Sequence, residues 1–304
     1  MDTLTVWLYR IAVWGVPLLP ERLGYWLFAR AGDIAFFLNT GARRRYQKNL
    51  RHILAPGTPQ REFDRITRQA MQNLLKNYFY LFRGHRMTDQ QIWDQLSNVQ
   101  GLEHLDNGIA LGKGIAGGSA HLGNFNLFVH LTALHFKNRH PVVVPVERIK
   151  PEAVFQLVTK VRAAQGIELV PGDAAGRVLI KKLRAGAVLG LAIDLDPTHS
   201  GPIVNFFGAP AQLPDGAAVL AVKYDAPLIL GFSRWVDNNK CVVTIEPPLE
   251  LERTGDLAKD TRAAVEKIVA RLEFWIRQYP EQWLMFQPVW ESDKLQATSL
   301  KSQD

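Results

Sequence analysis

The chain has 304 residues, a formal net charge of +7 and 47% hydrophobic residues, enough for one large α/β domain or two average ones. Its single cysteine, Cys241, excludes an internal disulfide framework and any multi-cysteine zinc site, and it suits a reducing compartment. The basic balance favours a polyanionic partner: nucleic acid, an anionic membrane leaflet or an acidic carrier protein.

Neither a cleavable signal peptide nor a clean transmembrane span is predicted. Val6 to Leu19 is strongly apolar but interrupted by Arg10 and Pro17, and Tyr25 to Leu38 is interrupted by Arg30 and Asp33. The pattern over 4–38 predicts two short helices rich in aromatic residues, with Trp7, Trp14 and Trp26 suited to a water–lipid interface. Arg43, Arg44, Arg45, Lys48 and Arg51 follow directly. A basic cluster there fits anionic headgroups at roughly 1 kcal/mol per residue near the surface. Membrane association of residues 1–55 is therefore expected; the alternative is two core helices of a soluble domain.

Phe63, Ile66, Ala70, Leu74 and Tyr78 recur at helical steps and predict a packed helix over 60–82. Thr88 and Gln91 have the spacing of a capping box. A short helix is predicted over 102–111. Gly112, Gly114 and Gly117 match the dinucleotide fingerprint as a string, but they precede a strand instead of following one and opening a helix. Strands are then expected at 115–120, 141–146, 167–170, 187–193, 227–232 and 240–245, and helices at 127–136, 151–165, 174–184, 217–224 and 260–278. Such alternation predicts a mainly parallel sheet covered by helices on both faces. The residues from about 294 to the end are polar and expected to be disordered.

In a sheet of this kind ligands bind beyond the carboxyl ends of strands. His121, Glu147, Arg148 and Asp194 all fall at such ends. His121 sits in a tight turn after a glycine-rich apolar run, with Asn126 one turn into the next helix, a plausible general-base arrangement. Arg148 and Lys150 suit a phosphate or headgroup, or equally a solvated loop. Glu147 suits an inward-facing carboxylate, or a salt bridge. Nothing has compelling spacing for a metal site, and His130, His135, His199, Trp283 and Trp290 read as surface or packing residues.

Several separated blocks together resemble the bacterial lipid A biosynthesis acyltransferase family, which is related to glycerolipid acyltransferases carrying an H-x4-D/E motif and includes actinobacterial phosphatidylinositol mannoside acyltransferases. The blocks are Gly41 to Leu50, Ala120 to Phe125, Val146 to Glu152 with Arg162 and Gly166, Asp194 to Pro197 with Asn205 to Ala211, and Pro280 to Leu284. The resemblance implies a glycerolipid-acyltransferase-like α/β domain over 56–292, docked by its N-terminal helices on the cytoplasmic face of the plasma membrane. It implies transfer of a fatty acyl group from acyl-CoA or acyl-carrier protein to a hydroxyl of a glycolipid or phospholipid, without a further cofactor. His121 becomes the general base, the Gly123 and Asn124 amides candidate oxyanion donors, and Phe206, Phe207 and Gly208 candidate substrate contacts. Nucleic acid is not an expected partner.

The family motif wants an acid five residues after the histidine, and this chain has Asn126. Three readings follow. Asn126 serves as a neutral orienter of His121; or Asp194 or Glu147 reaches His121 through the fold; or the protein is a catalytically impaired homologue that binds lipid.

Overall fold

The computed structural model describes residues 2–172, 175–196 and 200–294. Two helices, α1 (Asp2–Gly15) and α2 (Glu21–Leu38), occupy the predicted apolar blocks, joined by a 3-10 turn that carries Pro17. The basic cluster forms a helix of its own, α3 (Thr40–Ile53), capped by the Asn39 side chain. Then come α4 (Gln60–Gly84), α5 (Asp89–Trp93), β1 (Leu96–Gln100), α6 (Leu102–Ala110), β2 (Ile115–Ser119) and α7 (Phe125–His135). The Thr88–Gln91 capping box is closed in both directions at the start of α5. Next in order are β3 (Val142–Val146), α8 (Glu152–Ala164), β4 (Ile167–Pro171), α9 (Ala175–Arg184), β5 (Val188–Ala192), β6 (Ile203–Phe206), β7 (Ala209–Gln212), α10 (Gly216–Tyr224), β8 (Leu228–Trp235), β9 (Cys241–Ile245) and α11 (Leu257–Gln278).

Seven strands make one sheet in the order β1-β9-β8-β2-β5-β3-β4. All neighbours are parallel except β8 and β9, which form an antiparallel pair. Alternate residues of the central strands feed two different cores. Ala116, Leu189, Leu191, Leu228 and Leu230 pack with α9, α10 and α11, whereas Ile115, Val188 and Ile229 pack with α6 and α7. That two-sided burial is why these strands read as continuous apolar runs. The short strand β1 and the separate β6–β7 hairpin were not among the expected elements.

Among the described residues no helix is long and apolar enough to cross a membrane. One feature of α1 and α2 stands out. Leu4, Trp7, Leu8, Ile11, Trp14 and Leu18 are all exposed, at helical spacing, and Trp26, Ile34, Phe37 and Leu38 continue an exposed apolar face on α2. The residues expected to form a disordered tail lie outside the described residues from 295 onward, as do His199 and Pro197.

Candidate active site

β2 ends at Ser119, and Ala120 and His121 form the turn into α7. Gly123 has φ +55°, and a Cβ there would lie 2.2 Å from the Ser233 carbonyl oxygen, so the turn needs glycine for both backbone conformation and space. A strap from the 3-10 turn Pro280–Gln282 holds this turn in place. The Gly123 amide donates to the Gln282 carbonyl (2.8 Å), Leu122 bridges Trp283, and the Leu284 amide donates to the His121 carbonyl (2.7 Å). From the other side the Asn77 amide group of α4 donates to the Gly123 carbonyl (2.7 Å), and Asn73 binds the strap at the Glu281 carbonyl (3.1 Å). Asn73 and Asn77 are buried polar residues one helical turn apart on a face otherwise read as packing. That interruption was the available sign of their role.

Asp194 stands just beyond β5, the neighbour of β2, and is fully buried. Its carboxylate accepts from the His121 ring Nδ1 at 2.9 Å, from the His121 backbone amide at 2.8 Å and from the Trp283 indole Nε1 at 2.9 Å. Burial opposes its charge, but the facing imidazole and these donors outweigh it and hold the carboxyl below its ordinary range. Burial likewise opposes charge on His121, yet the Asp194 carboxylate wins and raises the imidazole above its ordinary pKa. With Nδ1 committed to an anion, the neutral ring carries its proton on Nδ1 and leaves the Nε2 lone pair available as a base. About a third of the His121 side chain (32%) remains exposed.

His121 lines a cavity of ≈ 400 Å³ between α7 and the sheet. Phe125, Phe128 and Val129 of α7 face Val144 of β3 and Leu169 of β4 across it; Ser119, Thr132, Glu147 and Arg162 are among its few polar residues. The strand register pairs Gly117 with Gly190 and Ser119 with Ala192, so the sheet floor beside His121 is built from small residues. A larger cavity, ≈ 520 Å³, lies near the other end of α7, lined by His130, Lys137, Arg139 and Gln165 among others. It sits by Pro141, at the amino ends of the strands, away from the edge where sheets of this type place their sites.

The remaining expected residues are distributed otherwise. Asn126 is buried and makes no hydrogen bond with His121. Its carbonyl oxygen accepts from the Arg162 guanidinium, and its amide group faces the Asn77 carbonyl (3.4 Å) and side-chain oxygen (3.3 Å). A position five residues after the histidine thus points from α7 toward α4 and α8, away from the imidazole. Glu147 is exposed at the cavity rim and is not the acid that meets His121. Arg148 is exposed, pairs with Glu152 (3.4 Å) and lies over the Phe155 ring; Lys150 is exposed, and neither lines the cavity. The Gly123 amide is committed to Gln282, which removes it as an oxyanion donor. Asn124 is fully buried and its side chain caps α7 by accepting from Leu127 N.

Phe206, Phe207 and Gly208 form the tip of the β6–β7 hairpin and do not line the cavity. Phe206 is buried, stacks on Trp290 (centroids 5.3 Å apart) and accepts the Trp290 indole hydrogen bond at its carbonyl, supporting Trp283 from below. Trp283, read from sequence as packing, is also a direct donor to Asp194. Among the described residues no group of three or more His, Cys, Asp or Glu converges to hold a metal ion.

The sequence matches the family description of bacterial lipid A biosynthesis acyltransferases over residues 1–292. It is 30% identical over 301 residues to a phosphatidylinositol mannoside acyltransferase of Mycobacterium tuberculosis (strain CDC 1551 / Oshkosh), a match covering 96% of this chain and 90% of the relative. The corresponding protein of Mycolicibacterium smegmatis (strain ATCC 700084 / mc(2)155) is 26% identical over 281 residues, covering 90% of this chain and 88% of the relative. With a family match that spans nearly the whole sequence, the chain belongs to the bacterial lipid A biosynthesis acyltransferase family and is an acyltransferase.

Proposed function

We propose that the protein transfers a fatty acyl group from an acyl thioester, acyl-CoA or acyl-carrier protein, to a hydroxyl of a glycolipid or phospholipid, with His121 as general base. The observation that carries this is the His121–Asp194 pair at an apolar cavity able to take an acyl chain. His121 Nε2 removes the acceptor hydroxyl proton as that oxygen attacks the thioester carbonyl. The imidazolium so formed is stabilised by the buried Asp194 carboxylate, and the proton then passes to the departing thiolate. Positioned proton removal of this kind contributes about 10²–10⁴-fold. Asp194 supplies the carboxylate that Asn126 does not, which favours turnover over the reading of an impaired lipid-binding homologue.

The name of the relatives, phosphatidylinositol mannoside acyltransferase, supports a mannosylated phosphatidylinositol as one acceptor to try first. The exposed apolar faces of α1 and α2 support docking on the cytoplasmic leaflet of the plasma membrane, with Trp7, Trp14 and Trp26 at the lipid boundary. The helix α1 packs on α8, which carries Arg162 to the cavity wall, so the docking face and the cavity share a helix. The test incubates membranes containing the protein with labelled acyl-CoA or acyl-carrier protein and identifies the labelled lipid by mass spectrometry. Label above the His121→Ala background is expected, and its absence with both donors would sink the proposal.

A further inference from the structure

Arg162 is a cation surrounded by neutral partners. Its guanidinium donates to two amide oxygens, Asn126 Oδ1 and Gln165 Oε1 (3.4 Å), and among the described residues no carboxylate pairs with it. Burial draws its pKa down to about 10, so it stays charged near neutrality. A guanidinium has five N–H donors in a planar fork, and two are accounted for here. The side chain also lines the cavity that holds His121.

A second feature adds positive potential at the same place. Asn126 sits in the first turn of α7, an eleven-residue helix with no acidic residue in that turn and a neutral asparagine as its cap. The helix N-terminus therefore contributes partial positive charge beside Arg162 that no acidic residue of its first turn offsets. The field reaches further: burial first, and then the charge on Arg162, push His130 down to about 4. An acid at position 126 would cancel the charge on Arg162, and this chain has an amide there instead. A half-buried cation with only neutral partners is costly to keep, so a site that holds one is suited to receive an anion. Glu147, the one carboxylate lining the cavity among the described residues, is exposed at the rim and not paired with Arg162.

We propose that Arg162, left without a carboxylate by Asn126, recognises a phosphate group of a substrate at the cavity that holds His121. The guanidinium fork matches phosphate oxygens in a bidentate manner. The phosphate belongs either to the acceptor lipid headgroup or to the acyl donor; only that assignment rests on the acyl-transfer reading.

The test is binding of inorganic phosphate to the full chain at constant ionic strength, followed without turnover through the rise in melting temperature. Wild type should bind phosphate, with N126D and R162M binding at least tenfold more weakly. Should R162M fail to fold, R162K, which keeps the charge and loses the fork, is expected to lie between wild type and N126D. Two kinetic arms separate the sources: KM for acyl-CoA against phosphate-free acyl-pantetheine, and KM for a phospholipid acceptor against its dephosphorylated form. The contrast that collapses in N126D identifies the phosphate bearer. Equal phosphate affinity in wild type and N126D, or neither contrast altered in N126D, overturns the inference. Phosphate binding that depends on Arg162 in a protein showing no acyl transfer would leave the inference standing and remove the proposed reaction.

Discussion

The Trp283 indole N–H and the His121 backbone N–H meet the same oxygen of Asp194, at 2.9 and 2.8 Å, while the other oxygen takes the His121 ring. The carboxylate is therefore fixed in plane and orientation before it orients the imidazole. Trp283→Phe keeps most of the buried ring and deletes one donor. Loss of a hydrogen bond to a charged group costs about 1.5–3 kcal/mol, so kcat should fall while KM for the acyl donor changes little. A thermal melt run alongside should show a lower midpoint, because the same bond contributes to folding.

The His121–Asp194 pair also predicts the pH profile. General-base activity needs a neutral imidazole, and Asp194 raises the His121 pKa above its ordinary value of about 6.5. The acid limb of kcat/KM should accordingly fall at a higher pH than an unperturbed histidine gives. Asp194→Asn removes the raising charge and leaves the burial that opposes it, so the limb moves to lower pH while the maximal rate drops by about 10²–10⁴-fold. The stability signs differ for the two groups. The raised histidine stabilises the fold below its unfolded pKa and loses that contribution as pH rises through the folded one. The lowered Asp194 stabilises above its unfolded pKa and loses its contribution as pH falls through the folded one. A rate profile for Asp194→Asn that superimposes on wild type would remove Asp194 from the mechanism.

What the sequence shows of this site follows chain distance. Strand ends were legible because β2, β3 and β5 are buried apolar runs, which placed His121, Glu147 and Asp194 on one edge of the sheet. Which acid meets the histidine was not legible. Asp194 is 73 residues away and joins His121 only through the pairing of β2 with β5, whereas Asn126 is near in sequence and is turned aside by the helix. Trp283 is 89 residues from Asp194, and an indole donor looks like core packing until the partner is known. The β6–β7 hairpin is not legible in the sequence because its strands have four residues each, too few to establish a period.

Gly123 is the tightest constraint on the turn. Alanine there must adopt a left-handed backbone, which costs of order 1–3 kcal/mol, and its Cβ would press on the Ser233 carbonyl oxygen and on Arg234 Cα, 2.6 Å away. Gly123→Ala should lower the melting temperature and abolish transfer together, by displacing His121 from Asp194. Gly57→Ala is the control: its φ is +84° but open space surrounds the added methyl, so it should show the backbone cost without the loss of activity.

The floor of the cavity predicts donor selectivity. A Cβ at Gly190 would lie 3.1 Å from Val144 Cγ2, a contact that slight movement relieves, whereas one at Gly117 would meet the Leu189 carbonyl oxygen at 2.5 Å. Gly190→Ala is thus the variant that narrows the cavity while keeping the sheet. Each methylene excluded from an apolar site forfeits about 0.8 kcal/mol, so preference should move toward shorter acyl donors by roughly fourfold per carbon. Competition between donors of different length, in one pot, reads this directly; an unchanged ratio would place the acyl chain elsewhere.

The exposed faces of α1 and α2 give the last prediction. Trp7, Trp14 and Trp26 are 56%, 70% and 58% exposed, an arrangement costly in water and favourable at a lipid interface. Burial of apolar surface contributes about 25 cal/mol per Å², so replacing all three by serine should release the protein from vesicles by well over tenfold. Because these side chains leave the buried core untouched, the triple variant should keep its melting temperature and transfer acyl groups to a detergent-dispersed acceptor. Flotation with vesicles of neutral and anionic composition separates the two attractions: the tryptophans act on both, whereas Arg44 and Arg51, both on α3, act on the anionic ones and weaken with added salt. Flotation unaffected by the triple change would assign this face to a protein partner instead.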